Sequence, residues 1–114
     1  MIELHKQECV ACRAGESTLT ASETEGLNKQ IPHWEVLNES GIFKLRREYS
    51  FDDFVGALAF TNLVGELAEN VNHHPDILTQ WGKVTLTWWS HKIKGLHQND
   101  FIMAAKSDAL FHSS

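Results

Sequence analysis

Two spacings of apolar residues alternate along this chain. In "GIFKLRREYSF", from Gly41 to Phe51, the residues Phe43, Leu45, Tyr49 and Phe51 share one parity, with Arg47 as the exception. A period of two marks a half-buried strand. The run "HWEVLN" precedes it across Glu39, Ser40 and Gly41, so the two runs predict a β-hairpin. From Phe51 to Val71 the spacing becomes helical. Phe51, Phe54, Val55 and Leu58 form one stripe, and Phe60, Leu63, Val64, Leu67 and Val71 continue on an adjoining one. Gly56, Ala57, Ala59, Gly65 and Ala68 are small enough for a sheet or a second helix to approach closely, which predicts the central helix. A second hairpin follows around Gly82, in "ILTQW" and "KVTLTWWSH". There Val84, Leu86 and Trp88 face one way and Thr85, Thr87, Trp89 and His91 the other.

The two ends of the chain read as helices. "TASETEGLNKQI" opens with Thr20 and places Glu23 three residues later, a capping-box pattern for a short helix ending before Pro32. "NDFIMAAKSDALFH" predicts a last helix starting near Asn99 or Asp100, with Phe101, Ile102, Ala105 and Ala109 inward. The order is therefore helix, two strands, helix, two strands, helix. Short turns make paired strands antiparallel, and helices inserted between hairpins most simply cover one face of the sheet. The fold class is α+β. The open face and the sheet edges of so small a domain favour a homo-oligomer.

Length and composition narrow the field. A chain of 114 residues with no break in composition predicts one domain, with residues 1–18 as a partly mobile lead-in. A net charge of −5, with lysines and arginines scattered apart from Lys44, Arg46 and Arg47, lacks a nucleic-acid footprint. No run approaches the roughly 20 apolar residues of a membrane span, and the N-terminus has no signal pattern. A cytoplasmic protein is expected, with neither nucleic acid nor membrane as partner. Cys9 and Cys12 form a lone C-x-x-C; with His5 they supply only three metal ligands where a closed zinc site takes four, so they are read as a reduced tail.

The chemistry gathers in "ENVNHHPDILTQW", Glu69 to Trp81. A residue before proline is pushed out of the α region, so His74 is extended and the helix ends at or before His73. The two imidazoles then point in different directions, which suits two contacts with one ligand better than two ligands of one metal. His91, where the chain leaves the last strand, converges on the same end of the domain. Imidazole both gives and takes protons near neutral pH. The competing readings are histidines that only bond backbone, or a three-histidine zinc site, for which H-x-H or H-x-x-x-H spacing is missing. His5, His33, His97 and His112 fall in exposed-looking contexts, and Trp81, Trp88 and Trp89 read as core or interface, with one of them able to line a planar ligand's pocket.

Glu69, three residues, His73-His74-Pro75, five residues, Trp81, nine residues, His91, eight residues, Asp100: this spacing resembles the signature of the pterin-4a-carbinolamine dehydratases. "CVACRAG", "IPHW", "ALAFTNLVGELAE" and "WGKVTLTWWSHKIKGLHQNDFIMAA" extend the likeness over nearly the whole chain, towards the bacterial branch of that family. The resemblance implies a four-stranded antiparallel sheet with three helices packed on one face. It also implies a hydro-lyase that dehydrates a 4a-hydroxytetrahydropterin to the quinonoid dihydropterin, recycling the cofactor of aromatic amino acid hydroxylases, as a homodimer or homotetramer. Neither proton transfer in that reaction needs a metal or a nucleotide, so no cofactor is expected. By resemblance His73 and His91 are the acid/base pair, His74 holds the pterin ring and Pro75 fixes the turn. Ser90, His91, Lys92 and Ile93 offer backbone groups to its pyrimidine edge. Glu69, Trp81 and Asp100 have supporting places, and for Glu69 and Asp100 a purely structural role fits as well. The alternative within the same fold is a non-catalytic dimerisation or coactivator-type binding protein.

Overall fold

The computed structural model describes residues 3–8 and 17–113. A 3-10 turn (Leu4–Lys6) precedes α1 (Ala21–Asn28), β1 (Glu35–Glu39), β2 (Ile42–Ser50), α2 (Phe54–Val71), β3 (Asp76–Gln80), β4 (Lys83–Trp88) and α3 (Gln98–Ser113). The four strands form one antiparallel sheet in the order β1-β2-β4-β3. The α+β class and the element order expected from the two periods are those observed.

Local chemistry accounts for the boundaries. The capping box of α1 is present: the Thr20 N–H donates to Glu23 Oε1 at 2.9 Å, and the Glu23 N–H donates to Thr20 Oγ1 at 3.1 Å. The first hairpin closes through Ser40 and Gly41, both at positive φ (55° and 86°), as a two-residue turn matching strand twist requires. Gly82, at φ 72°, closes the second; a Cβ there would stand 3.1 Å from the Phe51 carbonyl oxygen, so only glycine fits without strain. Asp53 caps α2 by accepting from the Gly56 N–H at 2.8 Å.

One face of the sheet carries Leu45, Tyr49, Val84, Leu86 and Trp88, all buried, and the helices cover it. Tyr49 meets Phe60 of α2 and Phe111 of α3 with ring centroids 4.7 Å and 4.9 Å apart. Arg47, the exception in the β2 pattern, lies on this same face. Its Nη1 donates to Asp108 at 2.6 Å, as do Trp34 Nε1 at 3.0 Å and the Tyr49 hydroxyl at 2.5 Å, all to Oδ1. Burial and the Asp108 charge push the Tyr49 phenol far above its usual range, which keeps it a donor.

The structure departs from the sequence pattern in three places. On α2 Ala57, Phe60, Val64 and Ala68 are buried and Leu67 and Val71 pack half-buried against the core, whereas Phe54, Val55, Leu58 and Leu63 are exposed, Val55 to 75%. The apolar arc of this helix is wider than the strip the sheet can cover. Gly65 is not a close-approach position, since a Cβ there would meet nothing within 4 Å. On α3 every residue from Asn99 to Ala104 is buried, and Met103, Ala104 and Ser107 lie deeper than Ala105 or Ala109. The reason is the 3-10 turn at the N-terminus, which packs on α3 with Leu4 buried and the His5 carbonyl accepting from Lys106 Nζ at 3.1 Å.

Candidate active site

The site is built where α2 stops. Asn72 adopts the left-handed conformation, φ 53°; its N–H reaches the Glu69 carbonyl at 3.3 Å and the His73 N–H reaches the Ala68 carbonyl at 3.2 Å. This paired arrangement ends a helix cleanly, and asparagine tolerates it better than most side chains. Asn72 therefore stops the helix before Pro75 can, and His73 and His74 leave it in sequence.

Their rings diverge, as expected. His73 turns inward: its ring stacks on Trp88 with centroids 5.6 Å apart and planes 16° from parallel, and Nε2 lies 2.7 Å from Asp100 Oδ1. His74 turns outward and places Nε2 2.5 Å from Glu69 Oε1 on the last turn of α2. Pro75 follows, immediately before β3.

Asp100 is fully buried and gathers partners from the segments after α2, after β4 and before α3. Oδ1 faces His73; Oδ2 accepts from the Ser90 hydroxyl at 2.8 Å and from the His97 N–H at 2.9 Å. The last of these also caps α3, with the Asn99 N–H bonding to His97 Nδ1 at 3.0 Å. Asp100 is thus both a helix cap and the orienting partner of a histidine. Oδ2 of Asp100 already takes an O–H and an N–H donor, and in the tautomer that carries its proton on Nε2, His73 supplies a third donor to Oδ1. Nδ1 then faces away with no partner among the described residues.

β4 delivers the third histidine. Successive residues of a strand point to opposite faces. Trp88 thus lies under His73 on the helix side, and Trp89 emerges on the open side. His91 packs on Trp89 with ring centroids 4.2 Å apart. The chain then turns through Lys92, Ile93 and Lys94, the last at φ 52°, and closes on itself. The Ser90 N–H donates to the Gly95 carbonyl at 2.9 Å and the Gly95 N–H to the Ser90 carbonyl at 3.3 Å. His91 and Lys92 are exposed and Ile93 is half-buried.

Among the expected site residues, His73 and Ser90 each bond to Asp100, and His74 pairs with Glu69. Trp81 is 73% exposed at the β3–β4 turn, the other end of that hairpin from His73. Sequence reasoning left out Trp88 and Trp89 as supports of the histidines, although strand alternation put them on opposite faces. It also passed over His97, which is half-buried and caps α3. Its place one residue before the α3 start was the available signal. No group of three or more His, Cys, Asp or Glu side chains is placed to hold a metal ion among the described residues, and no helix there is long and apolar enough to cross a membrane. Cys9 and Cys12 lie outside the described residues.

A protein-family model described as pterin 4 alpha carbinolamine dehydratase matches residues 17–110, the span holding His73, His74, His91 and Asp100. The chain belongs to this family. Two curated relatives of this dehydratase family carry the name "Putative pterin-4-alpha-carbinolamine dehydratase". The one from Syntrophotalea carbinolica is 54% identical over 110 residues, covering 96% of this chain and 98% of that one. The one from Microcystis aeruginosa is 51% identical over 111 residues, covering 97% and 96%. Among solved structures, a transcriptional coactivator/pterin dehydratase from Brucella melitensis superposes with a TM-score of 0.75 at 28% identity, covering 82% of this chain and 98% of that one. A pterin dehydratase-like protein identified as a RuBisCO assembly factor shares the fold, with a TM-score of 0.61 at 24% identity over 71% of this chain and 92% of that one. Membership in the dehydratase family makes this chain an enzyme of the lyase class.

Proposed function

We propose that this protein removes water from a 4a-hydroxytetrahydropterin to give the quinonoid dihydropterin, with histidines as the acid and base. In that step the C4a–O bond breaks, a proton joins the departing oxygen, the N5–H proton is lost and a C4a=N5 double bond forms. An imidazole with an ordinary pKa near 6.5 can serve either transfer, and a placed proton donor or acceptor contributes roughly 10²–10⁴-fold. The single observation that carries this reading is the buried Asp100 on Nε2 of His73. A carboxylate there fixes the ring's orientation and supports positive charge on it, while Nδ1 remains for a substrate proton. His91 is the second acid/base group on this reading. His74 and Pro75 hold the pterin ring, and backbone groups of residues 90–93 meet its pyrimidine edge.

The test is a turnover assay with freshly generated 4a-carbinolamine. His73→Ala and His91→Ala are expected to lower kcat, His74→Ala chiefly to raise KM, and the double variant His73→Ala with His91→Ala to lose more than either single change. A folded double variant that turns over at the wild-type rate refutes the mechanism.

The protein is a single-domain homo-oligomer of the cytoplasm that returns product for reduction in the service of an aromatic amino acid hydroxylase. Two unpaired sheet edges and the exposed apolar residues of α2 support the oligomer, and a monomer by light scattering at micromolar concentration refutes it. A coactivator role is favoured only by the name given to the Brucella melitensis protein; the histidine and Asp100 contacts favour the enzyme.

A further inference from the structure

The three histidines are not held alike. Nε2 of His73 has Asp100 and its ring has Trp88; Nε2 of His74 has Glu69. His91 is exposed, sits at the head of a tight loop, and has no hydrogen-bond partner among the described residues. Its one ring contact is Trp89, at 4.2 Å between centroids with 46° between planes. Trp89 is itself held: Lys44 Nζ stands 4.1 Å from the centroid of its ring, and the same ammonium pairs with Glu39 Oε1 at 3.0 Å. A cation over an indole face is a recognised attraction, and here it joins β1, β2 and the end of β4 on the open side of the sheet.

We propose that Trp89 is a positioning residue for the reaction, holding the His91 imidazole in its working orientation, with Lys44 and Glu39 fixing the indole in turn. This rests on the assignment of His91 as an acid/base group. A histidine with only one ring neighbour loses its orientation when that neighbour goes, and misplacing a reacting group by about 1 Å costs up to roughly 10²-fold in rate.

The experiment pairs kinetics with proton NMR of the free full-length protein. In the wild type, the His91 ring protons are expected to be shifted upfield by the indole 4.2 Å away. In Trp89→Ala that shift is expected to vanish, with kcat about tenfold lower and KM nearly unchanged. Trp89→Phe, which keeps an aromatic face, restores most of both. In a His91→Ala background Trp89→Ala is expected to have no further effect on kcat. If the ring shift survives in Trp89→Ala, or if the two substitutions multiply, the positioning role is overturned while the His91 assignment stands. If His91→Ala alone leaves kcat at the wild-type value, the assignment of His91 fails and takes this proposal with it.

Discussion

Nε2 of His73 sits 2.7 Å from Oδ1 of Asp100, although 27 positions separate the two residues along the chain. The contact ties the C-terminal end of α2 to the first turn of α3. Because Asp100 also takes the Ser90 hydroxyl and the His97 N–H, one side chain orients a histidine and caps a helix together.

Replacing Asp100 with Ala strands three donors around a fully buried position. The expected cost is about 3 kcal/mol or more, measured by urea unfolding. Asp100→Asn supplies only one acceptor oxygen where three donors converge, so it is expected to destabilise less and still lower kcat in the folded protein.

A second carboxylate acts without touching the site. Asp108 Oδ1 accepts from Trp34, Arg47 and Tyr49, and the Arg47 side chain is 13% exposed. Asp108→Ala is expected to lose about 2–4 kcal/mol in denaturant unfolding, since a mostly buried guanidinium is left unpaired. Turnover per folded molecule should match the wild type.

Gly95 closes the loop that carries His91. A Cβ there would fall 2.5 Å from Thr18 Cγ2. Gly95→Ala is expected to cost about 1–3 kcal/mol by thermal or urea unfolding. Adding Thr18→Ser removes the obstructing methyl, so the double variant should recover most of the loss.

Acid should expose the surface carboxylates. Arg46 and then Lys44 hold the Glu39 carboxyl below its ordinary value of 4.5, and the Thr20 N–H and hydroxyl do the same for Glu23. A depressed carboxylate contributes stability that is present above its unfolded pKa and lost as the pH falls through its folded one. Glu39→Gln should therefore lower the melting temperature slightly at pH 7 and progressively less as the pH falls below the ordinary carboxylate value, with a flatter acid limb in a pH series.

Both hairpins and the central helix were legible because their apolar spacing is local. What escaped were facts fixed by distant residues. Arg47 broke the β2 pattern because its partner, Asp108, lies 61 positions away on α3. The exposed stripe Phe54, Val55 and Leu58 has the same helical spacing as the buried one, and spacing alone cannot say which stripe the sheet will choose. α3 showed little one-sided pattern because the 3-10 turn around Leu4 covers its outer face. At the site, His73, His74 and Asp100 were visible through residue type and interval. The Trp88 and Trp89 contacts depend on which ring ends beside which strand face, and that is settled only by the assembled sheet.

The strand order β1-β2-β4-β3 has a kinetic consequence. Its two outer pairings are hairpins that close over two-residue turns, whereas the central β2–β4 pairing spans α2 and β3. Hairpins form in about 1–10 μs, so the slow event in folding is the joining of two ready-made halves along a single seam. Substitutions at that seam, such as Leu45→Ala or Leu86→Ala, should chiefly slow refolding, while those in the hairpin turns should chiefly hasten unfolding. The residues that set the folding rate therefore stand in the middle of the sheet, and Trp88, which pairs with Leu45 across the seam and stacks on His73, belongs both to that barrier and to the site.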